Sequence, residues 1–314
     1  MLITLVLRAD ATAILQTAEL AGWNLLWLIP YRVLYFLLFA IGWRSLLRAN
    51  DPERQAGLGY ILWVTSVREA IDRLLPVASV GGGVAGIRLL RWRGLATAPV
   101  SASVIVEILL TLIGSYLFTV VGVLLLVNVS GTGREYRSLL LALLFSLPVP
   151  AVPALLLRYG AVFERLERLV RPLVGQSAMS AGAPLLDQEV RACLRRGWTL
   201  LVAGALQFTA LLSGSFEIWF ALRLFGHPVG ASDALILESM TQALRHLAFV
   251  IPAGLGVQEA GLVLFGHALG ISGELALAVS MAKRLREVLC GVPSLVSWQW
   301  AEGRRLRTLT RNPS

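Results

Sequence analysis

The chain has 314 residues, of which 56% are hydrophobic and 15% charged, with a mean hydropathy of +0.72. Soluble domains carry about a quarter charged residues, so a soluble fold is excluded. The apolar runs are continuous and Leu-rich rather than alternating over ten residues, which favours helices over a β-barrel. The net charge of +9 comes almost wholly from arginine and reads as charge at cytoplasmic helix ends, not as a nucleic-acid surface.

Taken in chain order, the opening MLITLVL is too short to span a bilayer; it reads either as the remnant of a first helix or as the continuation of a longer start. No cleavable signal peptide is predicted. Residues 23–47 form a predicted span ending in Arg44 and Arg48, and 59–90 is apolar but interrupted by PVASVGGGVAG. Spans follow at 101–127 and 139–157. Residues 159–197 are polar, and VFERLERLVRPL within them has apolar residues at helical spacing, as in a helix lying flat on a membrane surface. Residues 198–224 are a span, 234–269 a second broken segment holding HLAFVIPAGLGVQEAGLVLFG, and 274–300 a final span before a basic tail. Cys193, Cys290, His227, His246 and His267 show no metal-binding spacing, so neither metal nor cofactor is expected.

Charge sets the predicted topology. Arg44, Arg48 and Arg54 precede the first broken segment and Arg88, Arg91 and Arg93 follow it, so both flanks are read as cytoplasmic and the segment as a re-entrant hairpin. The second broken segment, with few positive flanks, enters from the other face. Arg134 and Arg137 run against this scheme. The two broken segments share polar residues, then proline, small residues and glycines, followed by a loop and a span. The predicted fold is therefore an all-α polytopic integral membrane protein with about five full spans plus two broken re-entrant hairpins arranged as an inverted repeat. It is a single transmembrane domain (1–314): half-repeats 23–157 and 198–303, a cytoplasmic connector 158–197 with an amphipathic helix, and a basic cytoplasmic tail 304–314.

Proline and glycine end one half-helix and let another begin inside the membrane, near Val84 and Val257, with free amides favouring an anion there. Glu259 either acts in that site or caps the amides itself. Charges at membrane depth are the sharper signal: Glu107, with Ser103, Thr111 and Ser115 on its face, and Lys283, Arg284, Arg286 and Glu287. Each costs about 2.5–3.5 kcal/mol if lipid-facing, so they face protein or water. Arg68–Asp72 and Glu69–Arg73 have i,i+4 spacing, and Glu238, Arg245 and His246 occupy the matching arm of the second hairpin. The charges read either as a structural ion-pair network or as a polar midplane cavity for a charged or hydrated group.

REAIDRLLPVASVGGGVAGIRLL, ESMTQALRHLAFVIPAGLGVQEAGLVLFGHALGIS and ALAVSMAKRLREVLCGVPSLVSWQWAEGRRL closely resemble the hopanoid-biosynthesis-associated membrane proteins. These belong to the flippase-like superfamily named after the membrane region of lysylphosphatidylglycerol synthase. The resemblance runs from Trp23 to the C-terminus. It implies a bacterial inner-membrane protein with a cytoplasmic C-terminus, tied to hopanoids or related lipids. It carries over Arg68, Glu69, Pro76, Gly81, Gly82, Glu238, Arg245, Pro252, Gly256, Glu259, Lys283, Arg284 and Glu287 as motif residues, to which the sequence itself adds Glu107. Gly83 departs from it, a carboxylate being typical there, and so does the short N-terminus. The sequence carries no aminoacyl-transferase domain, so lipid aminoacylation is not expected.

The expected function is lipid transport, with a membrane lipid of polar or anionic headgroup as partner and no enzymatic activity. The alternatives are a membrane-bound enzyme using a glutamate with Arg or Lys for acid–base work, and a scaffold binding hopanoid-biosynthesis enzymes through 159–197 and the tail.

Overall fold

The computed structural model describes residues 22–49, 51, 53–75, 81–130, 141, 143–165, 182–247 and 256–311, and among them all regular structure is helical. A short 3-10 stretch, Gly22–Trp27, leads into α1, Leu28–Leu47. It is followed by α2 (Leu58–Leu74), α3 (Gly81–Arg91), α4 (Thr97–Ser130) and α5 (Pro148–Tyr159). The second half contains α6 (Gly182–Leu194), α7 (Gly197–Leu224), α8 (Ala231–Leu247), α9 (Val257–Ala268) and α10 (Gly273–Arg311). Three stretches, Gly22–Leu47, Thr97–Asn128 and Gly197–Leu224, are long and apolar enough to cross a membrane; a shorter apolar run covers Leu143–Tyr159.

The prolines predicted to make the breaks, Pro76 and Pro252, lie outside the described residues, as do MLITLVL, Arg134, Arg137 and most of VFERLERLVRPL. The helices on either side show the consequence. α3 has 11 residues and α9 has 12, about 16–18 Å of helix and too short to cross a bilayer. Each packs back on the helix before it, α3 on α2 and α9 on α8. The first short helix begins at Gly81, three residues ahead of the expected Val84, because glycines 81–83 continue the helix rather than precede it. The second begins at Val257 as expected, after Gly256 at φ +78°, a left-handed turn natural to glycine.

Helix packing is reciprocal. α1 pairs with α7, α2 lies on α10 as α8 lies on α4, and α1–α2, α3–α4 and α1–α4 contacts recur as α7–α8, α9–α10 and α7–α10. α5 and α6 have no counterpart; both pack on α4. Two apolar clusters fill opposite ends of the bundle. One joins Leu28 at the start of α1 to Ile218 and Leu222, Leu237, Leu262 and the 276–282 stretch of α10. The other joins Ala40, Trp43 and Leu47 at the end of α1 to Val64, Val67, Leu89 and Val100, with Leu295 and Trp298 of α10 packed against it.

The 39-residue α10 is inside-out relative to a surface helix of a soluble protein. Met281, Leu285, Val288, Val292, Val296 and Trp300 are exposed, whereas Lys283, Arg286 and Glu287 are buried at 5%, 3% and 7% relative exposure. An apolar exterior over a charged interior is what hydrocarbon surroundings select. Exposed Trp23, Trp27 and Trp198 near helix starts, and Trp300 where the apolar part of α10 gives way to its basic end, fit an interfacial aromatic belt. α10 runs on through 304–311 of the basic tail, with Arg304 stacked on Trp300 and Arg305 on Trp92.

Candidate functional site

Between the two apolar clusters lies a layer of charge. From α2, Arg68 donates to Glu107 of α4 at 2.6 Å and stacks on Trp43 of α1, whose indole N–H donates to Ser103 at 3.1 Å. One residue on, Glu69 accepts from Arg73 at 2.9 Å and from Arg32 of α1. Asp72 accepts the amide N–H of Gly82 at 2.9 Å, tying the end of α2 to the start of α3.

The second half builds a parallel set. Lys283 of α10 donates to Glu238 of α8 at 2.5 Å, and Arg284 donates to Glu259 of α9 and to Glu287, both at 3.2 Å. Arg245 of α8 donates to Gln258 of α9 at 2.8 Å, and Gln258 donates to Ser280 at 3.2 Å. Arg286 meets Glu217 of α7 at 2.8 Å. Glu287 is the hub: Arg73, Arg245 and Arg286 each have a nitrogen 3.9 Å from its Oε1, on top of its bond with Arg284.

The predicted residues thus come together, with three differences. The i,i+4 pair Glu69–Arg73 forms, but Arg68 and Asp72 do not pair: Arg68 turns to the more deeply buried Glu107, and Asp72 satisfies the Gly82 amide. Glu259 makes no cap bond at the α9 N-terminus; its carboxylate reaches across to Arg284. Gly83 faces an apolar neighbour, a Cβ there lying 3.5 Å from Val104 Cγ1, so a carboxylate at this place would have no polar partner in that direction. Arg32 and Glu217 were missed. The signal was present, since each lies inside an apolar predicted span, away from the arginine at its end (Arg44 in 23–47, Arg223 in 198–224), much as Glu107 does in its own span.

The layer is electrically balanced. Seven carboxylates (Glu69, Asp72, Glu107, Glu217, Glu238, Glu259, Glu287) face seven bases (Arg32, Arg68, Arg73, Arg245, Lys283, Arg284, Arg286). Satisfaction is incomplete. Among the described residues, Arg68 Nε, Glu259 Oε2 and Arg286 Nη1 are buried without a hydrogen-bond partner. Buried polar atoms are normally paired, and an exception calls for a missing partner such as a ligand or water. Among the same residues no three His, Cys, Asp or Glu side chains group as a metal site requires.

Helices with lipid-suited exteriors around a buried ionic layer define the class, a polytopic α-helical membrane protein. The chain belongs to the lysylphosphatidylglycerol synthase TM region family, whose model matches residues 1–293. No curated protein and no solved structure shows a significant match.

Proposed function

We propose that this protein moves a lipid between the leaflets of the bacterial inner membrane, with the headgroup passing through the charged layer while the tail stays in hydrocarbon. The family is one of membrane proteins of lipid metabolism or transport. The observation that carries the proposal is the buried, charge-balanced layer with hydrogen-bonding capacity left over at Arg68, Glu259 and Arg286. A structural network alone is best when every member is satisfied. A headgroup bearing both acceptors and donors can take up these free positions and exchange ion-pair partners without leaving net charge in the membrane. The reciprocal packing of α1–α4 with α7–α10 supports an inverted repeat, the architecture in which transporters place the substrate between halves. The resemblance to hopanoid-associated proteins supports a hopanoid, or a related isoprenoid or phospholipid, as the cargo. On this reading the lipid leaves unchanged and no covalent chemistry is assigned.

The test is reconstitution into vesicles holding a headgroup-labelled lipid, with wild type, Arg284→Ala and Glu259→Gln compared. Arg284 bridges two acids and Glu259 has an unused oxygen, so both variants are expected to slow flipping roughly ten-fold or more. Circular dichroism and elution volume should stay unchanged. Wild-type rates in both variants would overturn the proposal.

A further inference from the structure

A cavity lies outside the charged layer, at the end of α1 where the second apolar cluster sits. Arg44, Leu47 and Arg48 from the last turns of α1, Asp51 and Arg54 from the loop and Ile61 from α2 line about 280 Å³. A water occupies about 30 Å³ of liquid, so the space admits a tetrahedral anion with room to spare. Arg44 and Arg48 are one turn apart on the same helix face, where two like charges disfavour each other unless something negative lies between them. Arg54 reaches the same opening from a backbone at φ +55°, a left-handed conformation that residues other than glycine seldom adopt and that concentrates at functional sites.

The loop is built to hold it there. The Asp51 carboxylate accepts the amide N–H groups of Gln55 at 2.8 Å and Ala56 at 3.0 Å, and the Arg54 amide donates to the Asp51 carbonyl at 3.2 Å. The one acid in the cavity is therefore occupied with the backbone. Among the described residues no carboxylate lies within ion-pair distance of Arg44, Arg48 or Arg54. Charges that only orient a membrane protein need not converge on one cavity or require a strained loop.

We infer that this cavity is a binding site for a phosphate group, presented by an anionic phospholipid headgroup or by a free phosphoanion. Guanidiniums donate in pairs to phosphate oxygens, and three around one space match such a group better than point charges would. Leu47 and Ile61 give the cavity an apolar wall continuous with the core, suited to a ligand with an apolar portion.

The test uses the purified full chain in a zwitterionic detergent, titrated calorimetrically with dihexanoyl phosphatidylglycerol and separately with inorganic phosphate. Wild type, Arg48→Gln/Arg54→Gln and Arg48→Lys/Arg54→Lys are compared. Both side chains are exposed, and the single Gln variants serve if the double variant does not fold. The expected result is saturable wild-type binding of at least one probe, weakened roughly ten-fold by the Gln pair and measurably by the Lys pair. Saturation by the lipid alone assigns a headgroup; saturation by phosphate as well assigns the phosphoanion itself. Binding of neither probe by wild type, an unaffected Gln variant, or full retention in the Lys variant would overturn the inference.

Discussion

Among the described residues Glu287 has the most ion-pair partners, with Arg73, Arg245, Arg284 and Arg286 around one carboxylate. Glu287→Gln leaves these bases in a low-dielectric interior with one countercharge fewer, so it should destabilise the protein by about 3–5 kcal/mol. Glu302→Gln, which breaks an ion pair with the 60%-exposed Arg88, should cost about 1 kcal/mol or less. Denaturant unfolding in detergent compares the two; equal losses would mean that Glu287 is not buried among its partners. The sequence made Glu287 legible because a charge in a long apolar stretch must face inward. It could not say which base Arg68 or Asp72 would meet. Spacing along one helix offered them each other, whereas the more deeply buried Glu107 and the Gly82 amide lie on other helices.

The broken helices were legible as elements because proline and glycine interrupt an apolar run, and only the start of α3 was misplaced. Glycines that read as a break are instead needed inside the helix for close approach. A Cβ on Gly82 would overlap the Asp72 carboxylate and lie 2.6 Å from the Arg68 carbonyl oxygen. Backbone cannot give way as a flexible side chain can, so Gly82→Ala should push α3 off α2 and cost about 1–3 kcal/mol. At the next residue a Cβ meets only Val104 at ordinary contact distance, so Gly83→Ala should fall near wild type or above it. Thermal unfolding of the two variants reads the contrast; similar midpoints would refute the α2–α3 packing. The final helix was legible by length, although by composition it falls outside the three apolar candidates because its charges sit mid-helix.

For the whole molecule, the order and spacing of the breaks lead the sequence to predict two similar halves. The reciprocity of the packing, α2 on α10 and α8 on α4, was not legible, because it depends on contacts between distant segments. The two apolar clusters occupy opposite ends of α1 and α10, which orders the loops by side. With Cys193 and Cys290 replaced, cysteines introduced at Arg48 and Arg304 should react with a membrane-impermeant reagent only from the cytoplasmic side. Cysteines at Gly226 and Gly270 should react only from the other. Labelling of all four from one face would refute the proposed inverted arrangement.

The placement of charge on α10 has a consequence for how the protein is made. Synthesis runs from the N-terminus, so Glu69, Arg73, Glu238 and Arg245 are in the membrane before α10 exists. Until it arrives, Glu238 lacks Lys283, and Arg73 and Arg245 lack Glu287. α10 in turn is poorly suited to partition into lipid alone. Each side needs the other, so the arrival of α10 completes the charged layer. A chain halted before Gly273 would present a set of mismatched buried ions, a form that quality-control proteases can distinguish from the finished protein.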